Sequence, residues 1–179
     1  MRLLVPGTLL MVTVAVNACA APDSVSEPQT FVVPVFAQAA DGGSKNLRTH
    51  LTGGEEVPSN TSPAQGQAVF QLSEDGTELH YRLEVANIEN VTQSHIHRGA
   101  FGVSGGIVAW LYPPAPPLQL IPGTFQGTLG EGAITDAQVI GSLAGTGLAG
   151  LLAEIRAGNT YVNVHTLAHP PGEIRGQID

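Results

Sequence analysis

Short stretches of alternating apolar and polar residues, separated by glycine- and proline-rich turns, constrain the fold of this chain most. In the clearest stretch, 77–85, Leu79, Tyr81, Leu83 and Val85 share one parity and polar residues take the other. A period of two is typical of a β-strand with one buried face. The chain also carries 22 glycines and 13 prolines but only 12% charged residues. We therefore predict an all-β domain.

The strand pattern covers roughly the last 130 residues, which is enough for one domain with its own core. About eight strands are predicted, at 47–52, 67–72, 77–85, 91–97, 107–112, 124–129, 161–165 and 173–178. Apolar residues at i, i+3, i+4 and i+7 predict a helix over 147–157, and Thr135 can cap a short helix over 136–140. We expect a two-sheet, Greek-key-like sandwich with one or two short helical insertions.

Residues 1–19 have the features of an export signal. Arg2 precedes an apolar run that is shorter than the roughly 20 residues needed to cross a bilayer. The run ends in Val16-Asn17-Ala18-Cys19, which resembles a bacterial lipobox. Because Cys19 is the only cysteine, it has no partner for an internal disulfide, and we predict that it is lipidated. Ordinary cleavage near Cys19, or after 37–39, remains an alternative.

Residues 20–46 show neither strand nor helix periodicity and are predicted to be a flexible tether. The predicted organisation is therefore a signal peptide at 1–19, a tether at 20–46 and a domain at 47–179. We expect an exported protein, lipid-anchored on the periplasmic or extracellular face of a membrane. Its net charge of −8 argues against nucleic acid as a partner.

Three histidines form the strongest candidate site. His95 and His97 lie two residues apart on one predicted strand and therefore point to the same face. His165 lies on a later strand and has the same relation to its apolar neighbours. Those apolar neighbours are expected to face the core: Ile96, Val162 and Val164. Three imidazoles with an open position suit copper or zinc.

Other polar residues extend this candidate site. His169 or Glu173 is a candidate fourth ligand. Asn163, Glu173 and Arg175 share the parity of the histidines if the last strand lies beside 161–165. The same residues also fit a hydrogen-bonded polar network without a metal. The sequence leaves both alternatives open.

Several ordered blocks of the chain resemble the CHRD domain family, a module first noted in chordin and found in bacterial envelope proteins. The blocks are 51–58, the hairpin at Asp75-Gly76, 94–99, 151–158, 161–166 and 172–177. The resemblance spans 47–179 and departs at Pro171, where the family often has glycine. It implies an extracytoplasmic β-sandwich but no settled activity.

A weaker, fold-level likeness is to copper/zinc superoxide dismutase. In that comparison His95 and His97 match two copper ligands, and Arg175 matches an anion-guiding arginine. The chain lacks an evident bridging histidine, a zinc loop and the cysteines of the internal disulfide.

The sequence favours a binding protein over an enzyme. No nucleophile elbow, phosphate loop or paired-carboxylate motif is present, so catalysis would require the metal. We expect a membrane-tethered binding or accessory subunit of an envelope assembly, with an envelope or membrane protein as its partner. The alternative is a protein that binds copper or zinc through the three histidines, with or without redox activity.

Overall fold

The computed structural model of the protein describes residues 46–179; the predicted signal segment, Cys19 and the tether up to residue 45 lie outside the described residues. The described part contains seven strands: β1 (Asn46–Thr52), β2 (Gln65–Leu72), β3 (Leu79–Arg98), β4 (Ile107–Tyr112), β5 (Ile121–Ile134), β6 (Thr160–Thr166) and β7 (Ile174–Gln177). It also contains one helix, α1 (Gly147–Arg156), and three short 3-10 helices. The predicted β-rich class is confirmed.

Five of these strands close into a barrel. The hydrogen-bonded order runs β2, β1, β7, β6, β3, and β3 pairs back to β2. Strands β4 and β5 pair with β3 outside this ring. Within residues 46–179 the strands therefore belong to one continuous sheet, and the expected two-sheet, Greek-key arrangement is not confirmed.

Strand β3 explains why there are seven strands rather than about eight. The two strands predicted at 77–85 and 91–97 form one 20-residue strand that is irregular in its middle. There Asn87 and Asn90 adopt positive φ angles of 54° and 53°, and the pairing with β5 shifts register. Asparagine tolerates this left-handed backbone better than most residues. The irregularity lets the first part of β3 pair with β2 and the second part with β6.

The apolar core follows the predicted periodicities. Leu79, Tyr81, Leu83 and Val85 are all buried, with at most 7% of any of them exposed. Helix α1 adds its apolar stripe to the same core through Leu148, Leu151, Leu152 and Ile155. Thr135 caps a 3-10 helix at Asp136–Gln138 and forms a capping box with Gln138, so a short capped helix occurs there as predicted. None of the helices in 46–179 has the length and apolar character needed to cross a bilayer.

The antiparallel pair of β3 and β6 positions the candidate site. Ile96, Val162 and Val164 lie on its core side and are completely buried, as predicted. Alternation places the intervening residues on the opposite side, which we call the outer face. His95 is opposite Asn163 on this face, and His97 is opposite Tyr161.

Candidate metal centre

All three histidines predicted as ligands lie on the outer face and are buried. His95 is 0% exposed, His97 8% and His165 6%. His95 and His97 come from β3, whereas His165 comes from β6, where it lies opposite Gln93. A histidine triad is thus assembled by the register of two strands, although His165 follows His95 by 70 residues in sequence.

The imidazole nitrogens converge on one point. His95 Nδ1 lies 3.2 Å from His165 Nε2, and one ligand atom from each of the three histidines lies within 4.8 Å of the others. Two nitrogens that bind one tetrahedral zinc at 2.0–2.1 Å are about 3.3 Å apart. The closest pair already has this separation, so the cluster can hold a single ion after small side-chain movements.

Backbone carbonyls fix the orientation of two of the rings. His97 Nδ1–H donates to the Gly105 carbonyl at 2.9 Å, and His165 Nδ1–H donates to the Pro170 carbonyl at 2.8 Å. Because a carbonyl only accepts, each Nδ1 carries the proton and each Nε2 carries a lone pair. This arrangement, with Nε2 free and Nδ1–H bonded to a carbonyl, is common for histidines that bind metals.

Burial keeps the three imidazoles neutral. Burial, together with the adjacent His165 and His97, lowers the pKa of His95 to about 3. Burial also lowers the pKa of His97 to about 4, against the opposing effect of the bond to Gly105. The pKa of His165 is lowered by burial as well, with partial opposition from the bond to Pro170. Neutral imidazole is the form that binds metals.

Aromatic rings and an arginine cover the triad. The Tyr161 ring stacks on His97, with centroids 5.0 Å apart and planes 8° apart. The Arg175 guanidinium lies 3.5 Å from the centroid of Tyr161, and its Nη2 donates to the carbonyls of Ala100 and Val103. Arg175 therefore fastens the loop that follows β3 over the histidines.

The same loop also contacts His97 and Tyr161 directly. The Gly105 N–H donates to Tyr161 Oη at 3.1 Å, while the Gly105 carbonyl accepts from His97. Glycine is required at this position because a Cβ would overlap the Arg98 carbonyl. On the opposite side, the half-buried Trp110 ring and His95 form a T-shaped pair, with centroids 4.3 Å apart.

A polar group borders the triad on the side of β7. Asn163 Nδ2 donates a short hydrogen bond to Glu56 Oε1. Burial raises the pKa of Glu56 to about 7, although the Val57 backbone and the charge of Arg175 oppose the shift. Gly172 packs against this pair with a φ of 141°, and a Cβ there would overlap both side chains.

The comparison with known families agrees with the arrangement of these blocks. A family model of the CHRD domain matches residues 47–178, which is most of the chain. The chain belongs to the CHRD domain family. A search of curated proteins and a search of solved structures returned no match. The match identifies the sequence family of this β-rich domain, and it names no ligand for the three histidines.

The two residues predicted as a fourth ligand, Glu173 and His169, do not join the histidine cluster of this CHRD domain. The two carboxylate oxygens of Glu173 accept from the hydroxyls of Ser62 and Thr166, at 2.6 Å each. His169 is half-buried in the loop before β7, where its backbone N–H donates to Thr166. Neither residue belongs to the group of candidate ligands found within residues 46–179, which contains the three histidines alone. Asn163 and Arg175 do lie on the same face as the triad.

Sequence reasoning did not assign Glu56, Tyr161 or Trp110 to the site of this CHRD domain. Tyr161 could have been found, because it has the same parity as Asn163 and His165 on one predicted strand. Glu56 lies in the block 51–58 that carries the family resemblance, but nothing in the sequence places that loop against β6. Trp110 depends on the register of β4 with β3, which places it opposite His95.

Proposed function

We propose that this CHRD domain binds a copper or zinc ion through His95, His97 and His165. The observation that carries the proposal is the convergence of three buried, neutral imidazoles whose ligand atoms lie within 4.8 Å of one another. Imidazole nitrogen is a ligand that copper and zinc both favour. Full burial of all three rings also suits an ion held away from bulk water.

An unpaired nitrogen atom favours this function over a purely structural hydrogen-bond network. His97 Nε2 carries a lone pair, is buried and has no hydrogen-bond partner within residues 46–179. A buried polar atom without a partner destabilises a fold by about 1–3 kcal/mol. A network selected only for stability would pair this atom, whereas a metal ion gives its lone pair a partner.

Calorimetric titration of the full chain with zinc or copper tests the proposal. The wild type should bind one ion, and His97→Ala should bind more than about 100-fold more weakly, because loss of a second-shell partner alone changes affinity 10–100-fold. His50→Ala is the matched control, since His50 is exposed on β1 and should leave binding unchanged. Equal, weak binding by the wild type and His97→Ala would contradict the proposal.

Tryptophan fluorescence supplies an independent measurement. Trp110 is the only tryptophan of the chain and contacts His95. Copper(II) at the triad should quench its emission strongly at one equivalent in the wild type. His97→Ala should require far more copper for the same quenching, and His50→Ala should behave as the wild type. Quenching of identical concentration dependence in His97→Ala would indicate copper bound elsewhere.

We also propose that the chain is exported, lipidated at Cys19 and anchored on the outer side of a membrane, where the domain serves as a binding or accessory subunit of an envelope assembly. Exposed apolar side chains on the loop after β3 support the binding role, since Phe101 is 74% exposed and Val103 54% exposed. Arg175 already holds this loop in place through the carbonyls of Ala100 and Val103, so binding requires no rearrangement of the loop. An apolar contact held on a fixed loop is typical of a protein-binding surface.

Two measurements test this second proposal. Mass spectrometry of the protein from membranes should find a lipid on Cys19, and Cys19→Ser should release the protein into the soluble fraction. Affinity purification from native membranes should recover a stoichiometric partner, and Phe101→Ser should reduce that recovery. Recovery of only the free protein, or of unmodified Cys19 in wild-type membranes, would contradict the corresponding part of the proposal.

A further inference from the structure

Asn163 occupies the centre of the outer face. It lies opposite His95 on β3 and opposite Arg175 on β7. It also precedes His165 by two residues on the same strand, so their side chains point to the same side. Only 2% of Asn163 is exposed. The amide is therefore surrounded by candidate ligands and their supports, and it is shielded from solvent.

The two ends of this amide are in different situations. Nδ2 donates to Glu56 Oε1, whereas Oδ1 is buried and has no hydrogen-bond partner within residues 46–179. His97 Nε2 shares that condition. The outer face thus carries two unpaired atoms that offer a lone pair, in addition to the facing nitrogens His95 Nδ1 and His165 Nε2. A single cation is the simplest group that could satisfy lone pairs on all four residues.

This inference rests on the proposed metal site: we infer that Asn163 Oδ1 is a fourth, oxygen donor to the ion, and that Glu56 is the positioning residue that directs it there. An amide oxygen next to three imidazoles gives a three-nitrogen, one-oxygen set. Because Nδ2 is bound to Glu56, rotation of the amide would break that hydrogen bond. Gly172 supports the arrangement, since any side chain there would displace both residues.

A fourth protein ligand determines what the metal can do. Catalytic zinc sites keep one position open for water or substrate, whereas closed four-coordinate sites do not. With Asn163 in the fourth position and the histidines at most 8% exposed, this site has no position for an outside ligand. The domain would then hold its ion for structure, for storage or for electron transfer, and hydrolytic chemistry is not expected.

Cobalt(II) and azide test this inference on the full chain. Cobalt(II) has visible absorption bands that report coordination number, and azide binds only where a position is open. The wild-type cobalt protein should show intense four-coordinate bands that azide does not change. Asn163→Ala should bind azide and should bind cobalt about 10–100-fold more weakly, whereas the matched control Asn159→Ala should behave as the wild type.

Glu56 variants separate positioning from general structural support. Glu56→Ala should open the cobalt site to azide in part, and Glu56→Gln, which keeps an acceptor for Asn163 Nδ2, should restore the closed spectrum. A wild-type cobalt protein whose four-coordinate bands change on addition of azide would overturn the inference while leaving the triad as the metal site. This outcome is read from the wild type alone, so it holds even if Asn163→Ala fails to fold. A wild type that binds no cobalt, zinc or copper would overturn the proposed function itself.

Discussion

The two faces of the β3–β6 pair are both buried but differ in the chemistry of their side chains. The core face presents Ile96, Val162 and Val164, whose burial stabilises the fold through the hydrophobic effect. The outer face buries polar side chains to the same extent, and several of their atoms have no partner in the described part of the chain. Burial on the first face stabilises the protein, whereas burial on the second destabilises it unless a ligand compensates. The difference assigns stability to one face and binding to the other.

Truncation on the core face should have the largest effect on stability. Ile96→Ala removes a completely buried side chain from the core, so the free energy of unfolding should fall by about 2–5 kcal/mol. Denaturation with urea measures this loss. A decrease below about 1 kcal/mol would show that the core face is not the main source of stability and would remove the contrast between the two faces.

Acid should destabilise the metal-free protein through the outer face. The unfolded chain binds protons at histidine below about pH 6.5, while the folded chain keeps His95 and His97 neutral down to about pH 3 and 4. Stability present above pH 6.5 is therefore lost as the pH falls. Between pH 7 and pH 5 each of these two histidines should contribute a loss of about 2 kcal/mol, and His165 acts in the same direction.

Glu56 opposes this acid effect. Its pKa is about 7 in the folded chain and near 4.5 in the unfolded chain, so the folded state gains stability between pH 7 and pH 5. Because Glu56 is only partly buried, solvent screening keeps this gain below about 2 kcal/mol. The net loss for the metal-free protein should be about 2 kcal/mol or more, measured by urea denaturation at both pH values. Glu56→Gln should enlarge the loss. A protein that is more stable at pH 5 than at pH 7 would contradict the assignment of neutral, buried histidines.

Loss of Arg175 should have a smaller and more local effect. Arg175→Leu leaves the carbonyls of Ala100 and Val103 without their donor and removes the contact with Tyr161, so we expect a loss of about 1–2 kcal/mol. Hydrogen exchange should accelerate most in the loop 99–106. Arg175→Lys should not restore protection, because an ammonium does not reproduce the planar guanidinium over the ring. Uniform acceleration across the domain would show that Arg175 supports the whole fold instead.

Replacement of a histidine should have the smallest effect on the metal-free protein. His95→Leu removes a buried polar ring that has one unpaired atom, but it also removes the partner of His165 Nε2. The first change stabilises the fold and the second destabilises it, so the two partly cancel. We expect a change within about 1 kcal/mol of the wild type, together with loss of metal binding. A decrease of 3 kcal/mol or more without metal would indicate that His95 serves mainly to stabilise the fold.

The parts of this molecule that follow from local periodicity could be predicted from sequence. Alternation correctly assigned Ile96 and Val164 to one face and the neighbouring histidines to the other. It also located most strands within a few residues. The merging of two predicted strands into β3 was missed, because positive φ angles at Asn87 and Asn90 let the chain continue where a break was expected. The position of Glu56 was missed for another reason, since it depends on long-range packing of a loop against β6.

X-ray absorption spectroscopy of the metal-loaded full chain tests the central claim most directly. The spectrum of the zinc or copper form should contain three imidazole nitrogens at about 2.0–2.1 Å, with the outer-shell scattering that imidazole rings produce. His97→Ala loaded with the same ion should lose one imidazole or fail to retain the metal. A wild-type spectrum that contains only oxygen ligands, or fewer than two imidazoles, would contradict the claim that the outer face is a metal site.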